Sequence, residues 1–305
     1  MEILSVKLSK LIKEFSLSVL YAPEDLDARE IMSRDVLRPG MQLATGFFSD
    51  FDNERISILG KMEHAYLEKQ EPEKRLLLLD RLFAAGIPCL LITRNLEVFP
   101  EILAVAEKHK VPVLRTEHET SSFIAALIAA LNIHLAPRIT RHGVLVEVYG
   151  EGILLLGESG VGKSETAMEL IKRGHRLIAD DNVIIKEIAN ELYGTAPEII
   201  RYFMELRGIG IINVKSMYGS GSVLDEKNIQ LIIQLENWQQ GKEYDRVGNE
   251  SSFATYFGIK VPKITIPVSP GRNLAIIIEV AARNFRLKSM GYDASEELIT
   301  RSIGR

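Results

Sequence analysis

A single cysteine, Cys89, in 305 residues leaves no partner for an intrachain disulfide and no thiol cluster for a metal. It lies in the apolar run Ile87-Pro88-Cys89-Leu90-Leu91, which reads as a buried, inert thiol rather than a nucleophile. Charge of one sign is not in excess either. Lys and Arg number 37 against 41 Asp and Glu, a net charge of −4, whereas a protein that coats nucleic acid needs a basic surplus to meet phosphates. Long hydrophobic runs are missing. The longest, Phe123 to Leu135, is interrupted by Asn132 and His134 and as a helix spans only ~20 Å, short of the about 20 apolar residues that cross a bilayer. Glu2, Lys7 and Lys10 break the apolar runs at the start, so no secretory leader is read there. These absences predict a soluble, cytoplasmic protein with neither nucleic acid nor membrane as partner.

What is present is ordinary globular composition, 46% hydrophobic and 26% charged. At about 150 residues per domain the length predicts two domains. In the first half, apolar runs at Cys89 to Thr93 and Val111 to Leu114 flank an amphipathic stretch, Glu101 to Lys108. That order predicts parallel strands joined by a right-handed helical crossover. Two further helices are expected at Lys61 to Lys69 and Pro72 to Ala85, the second with proline at its start and Gly86 as its stop. A long helix from Glu119 to Leu135 ends before Ala136-Pro137. The expected division is an N-terminal α/β domain, 1–135, and a C-terminal α/β domain, 136–305.

The second half opens with Val144 to Val148 and Ile153 to Leu156 around Tyr149-Gly-Glu-Gly152, a hairpin pattern. Its second strand runs into Gly157-Glu158-Ser159-Gly160-Val161-Gly162-Lys163-Ser164, which fits the phosphate-binding pattern G-x-x-x-x-G-K-[ST] at every fixed position. A strand precedes it and a helix, Glu165 to Arg173, follows, as the chemistry requires. The glycines let consecutive N–H groups curl around phosphate oxygens at the positive end of a helix. Lys163 then reaches the β/γ-phosphates, and the Ser164 hydroxyl ligates Mg²⁺. Chance alone produces such a match about once in a hundred chains of this length.

Other groups can be set around this loop. With Gly150-Glu151 as the hairpin turn, residue 148 faces 153, and continuing that register brings His142 opposite the loop's start. His142 could there serve a phosphoryl oxygen or a proton, or be simply a solvent-facing or core histidine. Arg176 to Ala179 reads as a strand ending in Asp180-Asp181. Elsewhere such a pair signals a turn; beside a phosphate loop it can hold Mg²⁺ and divide electrostatic and basic roles. Met204 to Val214 combines Glu205, Arg207, Gly208, Gly210 and Asn213 with what reads as a buried apolar strand. Arg246, and Arg272 in the rigid loop Pro267-Val268-Ser269-Pro270-Gly271-Arg272, read on their own as surface charges. Trp238 reads as packing rather than base-stacking.

Together the segments Gly157–Ser164, Gly174–Asp181, Glu205–Val214 and Pro267–Asn273 resemble the bifunctional HPr kinase/phosphorylase family of bacteria. The resemblance implies a C-terminal P-loop kinase domain of phosphoenolpyruvate carboxykinase-like fold, unrelated to the usual protein kinases. Neither H-R-D nor D-F-G occurs in the chain. It further implies phosphorylation of a regulatory serine on the phosphocarrier HPr, with ATP or pyrophosphate and Mg²⁺. In reverse, inorganic phosphate would attack phosphoserine and pyrophosphate would leave, with carbon catabolite repression and sugar uptake under its control. Carried over by position, Asp181 is the general base, and His142, Lys163 and Arg246 are catalytic. Ser164 and Glu205, with Asp180 as a further candidate, are metal ligands. Residues 205–213 serve both directions, and Pro267 to Arg272 serve dephosphorylation. A cytoplasmic homo-oligomer, a hexamer, is implied as well. Two other readings remain open on the residues alone: a small-molecule kinase or carboxykinase-like enzyme, and a nucleotide-sensing regulator without catalysis.

Overall fold

Apolar runs too short for helices alternate with amphipathic stretches in both halves, and each half folds around its own mixed sheet. A computed structural model of the chain describes residues 4–242, 244 and 252–303, in two units, Met1–Ala136 and Pro137–Arg305.

In the first unit, Val36–Leu37, Ile56–Leu59, Leu90–Ile92 and Val113–Arg115 lie side by side in that order and run parallel, with Ser18–Tyr21 antiparallel at the edge. Ile56–Leu59 and Leu90–Ile92 are buried throughout, the pattern of strands covered on both faces. Helices Pro72–Ala84 and Pro100–His109 each begin on proline, where a missing N–H costs nothing. They pack Leu79, Leu82, Ile102 and Val105 onto one face of the sheet. Helix Thr120–His134 covers the other face through Phe123, Leu127 and Leu131, where Cys89 is wholly buried. Burial pushes the Cys89 thiol up to about 12, which makes it inert.

The second unit is layered helix, sheet, sheet. Its six-stranded sheet runs Arg176–Ala179, Val144–Val148, Glu151–Leu156, Leu231–Asn237, Ile259–Val268, Ser252–Tyr256. Glu151–Leu156, Leu231–Asn237 and Ile259–Val268 are mutually parallel, so their carboxyl ends share one edge. Helices Lys163–Lys172 and Leu274–Ser289 bury Leu170, Ile171, Ile278 and Ala282 on one face. On the other face Leu145, Leu154 and Ile232 meet Val183, Ile185 and Leu192 of a four-stranded sheet, ordered Glu226–Asn228, Glu191–Thr195, Asn182–Ile188, Arg138–His142. Among the described residues no helix is long and apolar enough to cross a membrane.

The expected hairpin register is corrected. Tyr149 and Gly150, both at positive φ (53° and 88°), form the turn, so Val148 pairs with Glu151 and Val146 with Ile153. A two-residue turn of this hand favours glycine second, and Tyr149-Gly150 meets that where Gly150-Glu151 does not. Tyr149 is held in place by Arg283, which donates to its hydroxyl at 2.7 Å. His142 does not continue this hairpin. It ends its own strand in the four-stranded sheet, opposite Asn182.

Candidate active site

The strand Glu151–Leu156 delivers the glycine-rich loop at the carboxyl edge of the sheet, directly before helix Lys163–Lys172. Gly157 has φ 151°, and a Cβ there would sit 2.5 Å from the Leu235 carbonyl oxygen. Gly162, at φ 100°, caps the helix in the left-handed region. The loop and the helix's first turn lie at the same edge, an arrangement suited to oxyanions.

Lys163 is only 6% exposed. Its ammonium donates to the carbonyl oxygens of Gly157 (2.9 Å) and Glu158 (3.0 Å), so the lysine folds over the loop it belongs to. Burial pulls its pKa below the usual lysine value, and the nearby charges of Asp180 and Asp181 oppose that fall. The Ser164 hydroxyl donates to Asp180 Oδ1 at 2.8 Å, and the Glu205 backbone N–H donates to Asp180 Oδ2 at 3.1 Å. Asp180 is 5% exposed. Burial raises its carboxyl above the ordinary 3.8, although the bonds from Ser164 and Glu205 pull the other way.

A buried carboxylate held against a serine hydroxyl, beside a phosphate-shaped loop, fits a hydrated Mg²⁺. Such an ion takes one or two protein oxygens and fills its octahedron with water and phosphate. Among the described residues no three His, Cys, Asp or Glu side chains gather as a metal cage. Glu205 touches Asp180 with its main chain, not its carboxylate.

Asp181 follows in a left-handed conformation (φ 65°) that turns it away from its neighbour. Its Oδ1 lies 2.9 Å from His142 Nδ1, both side chains about half exposed, and Asn182 donates to its Oδ2 at 2.7 Å. The Gly143 N–H donates to the Asp181 carbonyl at 3.0 Å, and a Cβ on Gly143 would lie 2.7 Å from the Leu155 oxygen. The two acids thus have different surroundings: Asp180 dry and bonded to Ser164 and the Glu205 N–H, Asp181 wetter and paired with histidine. Asn182 was not singled out in the sequence; its place next to the acid pair is the one signal that marks it.

Residues 203–213 are not a buried strand. Phe203–Leu206 and Gly210–Asn213 form a two-stranded hairpin with Ile209 and Ile211 exposed at 73% and 76%. Gly208 and Gly210 supply positive φ for its turn, with open space around both. Arg207 lies against the phosphate loop, donating to Ser159 Oγ at 3.1 Å, and its Nη1 would be 2.8 Å from a Cβ on Gly160. Asn213 instead caps the short helix that follows, accepting from Ser216 N–H at 2.9 Å. The loop Pro267 to Arg272 leaves the sheet at the carboxyl end of Ile259–Val268, on the same edge as the phosphate loop. Arg272 closes it by donating to the Pro267 carbonyl at 2.8 Å. Trp238 stacks on Tyr244 with centroids 5.1 Å apart. Arg246 lies outside the described residues.

Residues 6–131 match the family profile described as HPr Serine kinase N terminus, and residues 133–302 match HPr Serine kinase C-terminal domain. An HPr kinase/phosphorylase of Caldicellulosiruptor bescii is 52% identical over 293 residues, 96% of this chain and 94% of that one. One from Listeria innocua is 46% identical over 294 residues, 96% and 94% respectively. A solved structure titled as the Hpr(Ser) kinase/phosphatase from Coxiella burnetii is 36% identical, covers 52% of this chain and 98% of its own, and superposes with a TM-score of 0.48. By full-length identity and by both domain profiles, the chain belongs to the HPr kinase/phosphorylase family, enzymes of protein phosphorylation.

Proposed function

We propose that this enzyme transfers the γ-phosphoryl of ATP, or a phosphoryl of pyrophosphate, to a serine hydroxyl of HPr at the loop 157–164. We propose that it also reverses the modification by phosphorolysis. The observation that carries the reading is the convergence on one loop of Asp180, bonded to Ser164, and Asp181, paired with His142.

In the forward direction the Asp181 carboxylate takes the serine proton as the serine oxygen bonds to phosphorus and the β–γ bridging oxygen leaves with its electron pair. His142, with Nδ1 2.9 Å from Asp181 Oδ1, orients that carboxylate. Lys163 exchanges the carbonyls of Gly157 and Glu158 for phosphate oxygens, and Arg207 releases Ser159 to meet the charge spreading over the transferred group. Ser164 and Asp180 would hold Mg²⁺, which would supply charge neutralisation at the transferring phosphoryl. In reverse, an oxygen of inorganic phosphate attacks the phosphoserine phosphorus, the proton of that phosphate passes by way of Asp181 to the leaving serine oxygen, and pyrophosphate departs. Arg246, the Glu205 carboxylate, Asn213 and the Pro267 to Arg272 loop join this site in the same reading. The enzyme works in the cytoplasm as a hexamer and governs carbon catabolite repression through HPr.

The test mixes purified chain, HPr and Mg·ATP, weighs HPr by mass spectrometry, then removes nucleotide and adds inorganic phosphate. A phosphate-sized gain that disappears with release of pyrophosphate supports the reading. Asp181→Asn should bind nucleotide and transfer nothing; normal turnover of that variant would remove Asp181 as the base. ATP binding with no gain on HPr would transfer the chain to a small-molecule or purely regulatory reading.

A further inference from the structure

The first unit carries a cleft that the phosphoryl-transfer chemistry does not use. Strands Leu90–Ile92 and Val113–Arg115 are parallel neighbours. The chain leaving the first goes to helix Pro100–His109 on one face of the sheet, and the chain leaving the second goes to helix Thr120–His134 on the other. Where adjacent connections diverge in this way, a crevice opens outside the carboxyl ends of the strands, and open α/β sheets bind ligands there.

A cavity of about 320 Å³ occupies that crevice, lined by residues from both loops and from the turn before Ser18–Tyr21. Its walls are tied together. Arg94 N–H donates to the His118 carbonyl at 2.9 Å and Asn95 N–H to the Thr116 carbonyl at 2.8 Å. Ser16, Arg94 and Asn95 are all held in the left-handed region, a cost tolerated where surrounding structure fixes it.

In this cavity Arg115 stands without a counter-charge. Its Nε is buried and unbonded, and no side-chain hydrogen bond or ion pair involves it among the described residues. Glu117, also on the lining, is exposed and makes no ion pair with it among the described residues. A partly buried guanidinium left unpaired costs free energy, and its planar fork matches an oxyanion through two parallel bonds. Ser16, Ser18 and Asn95 add hydroxyl and amide groups around it.

We propose that this cleft is a binding site for a small oxyanion, a phosphate or carboxylate group of a metabolite-sized ligand, gripped by Arg115. The cavity volume sits at the lower end of small-molecule sites, which excludes a protein segment.

Hydrogen exchange read by mass spectrometry on the full-length chain tests it, with inorganic phosphate in one arm and malonate in the other. At millimolar ligand, peptides covering 93–98 and 114–119 should exchange at least twofold more slowly. Phosphate protection alone assigns a phosphate group, and malonate protection alone a carboxylate. Protection of the 157–165 peptide reports the phosphate loop separately. In Arg115→Leu the protection at 93–98 and 114–119 should vanish while that at 157–165 persists. Ser18 is the ladder partner of Arg115 and is exposed, so Ser18→Asp supplies the missing anion. That variant should fold with a raised Tm and show no ligand protection in the cleft. No protection from either anion in the wild-type chain, or equal protection in Ser18→Asp, overturns the proposal.

Discussion

Asp180→Asn and Asp180→Ala separate what one carboxylate does for the fold from what it does for the chemistry. The carboxylate accepts from Ser164 Oγ at 2.8 Å and from the Glu205 N–H at 3.1 Å. Asparagine can keep both bonds: its oxygen accepts from the Glu205 amide, and its NH₂ donates to a serine hydroxyl that has rotated to accept. Alanine leaves a backbone amide and a hydroxyl without acceptors, at about 1–3 kcal/mol for a buried group. In urea unfolding Asp180→Ala should lose about 2 kcal/mol, and Asp180→Asn less than about 1 kcal/mol.

The comparison also has a pH signature. Burial raises the folded-state pKa of Asp180 above its ordinary 3.8, so the folded chain binds more protons than the unfolded one between those two values. Stability from this group is therefore fully present below 3.8 and lost as pH rises through the folded pKa. Relative to wild type, Asp180→Asn should gain stability over that rise, and, on the proposed metal role, saturating Mg²⁺ should restore the wild type. Transfer to HPr should fall in both variants. A metal's charge stabilisation is worth several kcal/mol, and about 3–4 kcal/mol at 1.36 per decade is ~10²–10³-fold. Asp180→Asn turning over at the wild-type rate would refute the metal-facing role. Asp180→Asn less stable than Asp180→Ala would refute the assigned hydrogen bonds.

Lys163→Ala should lose about 10²–10³-fold or more in both directions; phosphorolysis surviving in that variant would mean two separate phosphate sites. Gly152→Ala would put a Cβ 1.8 Å from the Asn228 carbonyl oxygen, a backbone atom that cannot step aside. Unfolding should therefore lose at least ~3 kcal/mol, and a loss under ~1 kcal/mol would contradict the packing of Glu151–Leu156 against Glu226–Asn228. Cys89, with its thiol near 12, exposes a thiolate fraction of about 10⁻⁴ at pH 8. An aromatic disulfide reagent should titrate one thiol in denaturant and none within minutes in the native chain; rapid native labelling would refute its burial.

How much of this was legible in the sequence depends on how local the cause is. The phosphate loop needs glycines at fixed positions because of its own φ angles, as at Gly162 (φ 100°), and those are written in eight consecutive residues. The acid pair follows a strand directly, so its place beside the loop could be read as well. The hairpin turn has a local cause too: glycine in second place favours Tyr149-Gly150 over Gly150-Glu151. Arg283 bonding Tyr149 and Gly152 packing on the Asn228 oxygen reinforce that choice at a distance.

His142 is the instructive case, because the hairpin register that would carry it to the loop is not the one the chain adopts. In the fold it arrives from Arg138–His142, a strand of Arg, Thr and His with Ile139 as its one aliphatic residue, too polar to announce itself as a strand. What brings it in is pairing with Asn182–Ile188, whose first residue abuts Asp181. The strand that begins next to the acid therefore recruits its histidine, and the register that sets His142 opposite Asn182 places it there. The exposed hairpin at 203–213 fails to be read for the converse reason. Ile209, Ile211 and Ile212 have core composition, and hydrophobicity alone cannot distinguish a core strand from a surface one. What ties this hairpin to the phosphate loop and the acid pair is Arg207 on Ser159 and the Glu205 N–H on Asp180.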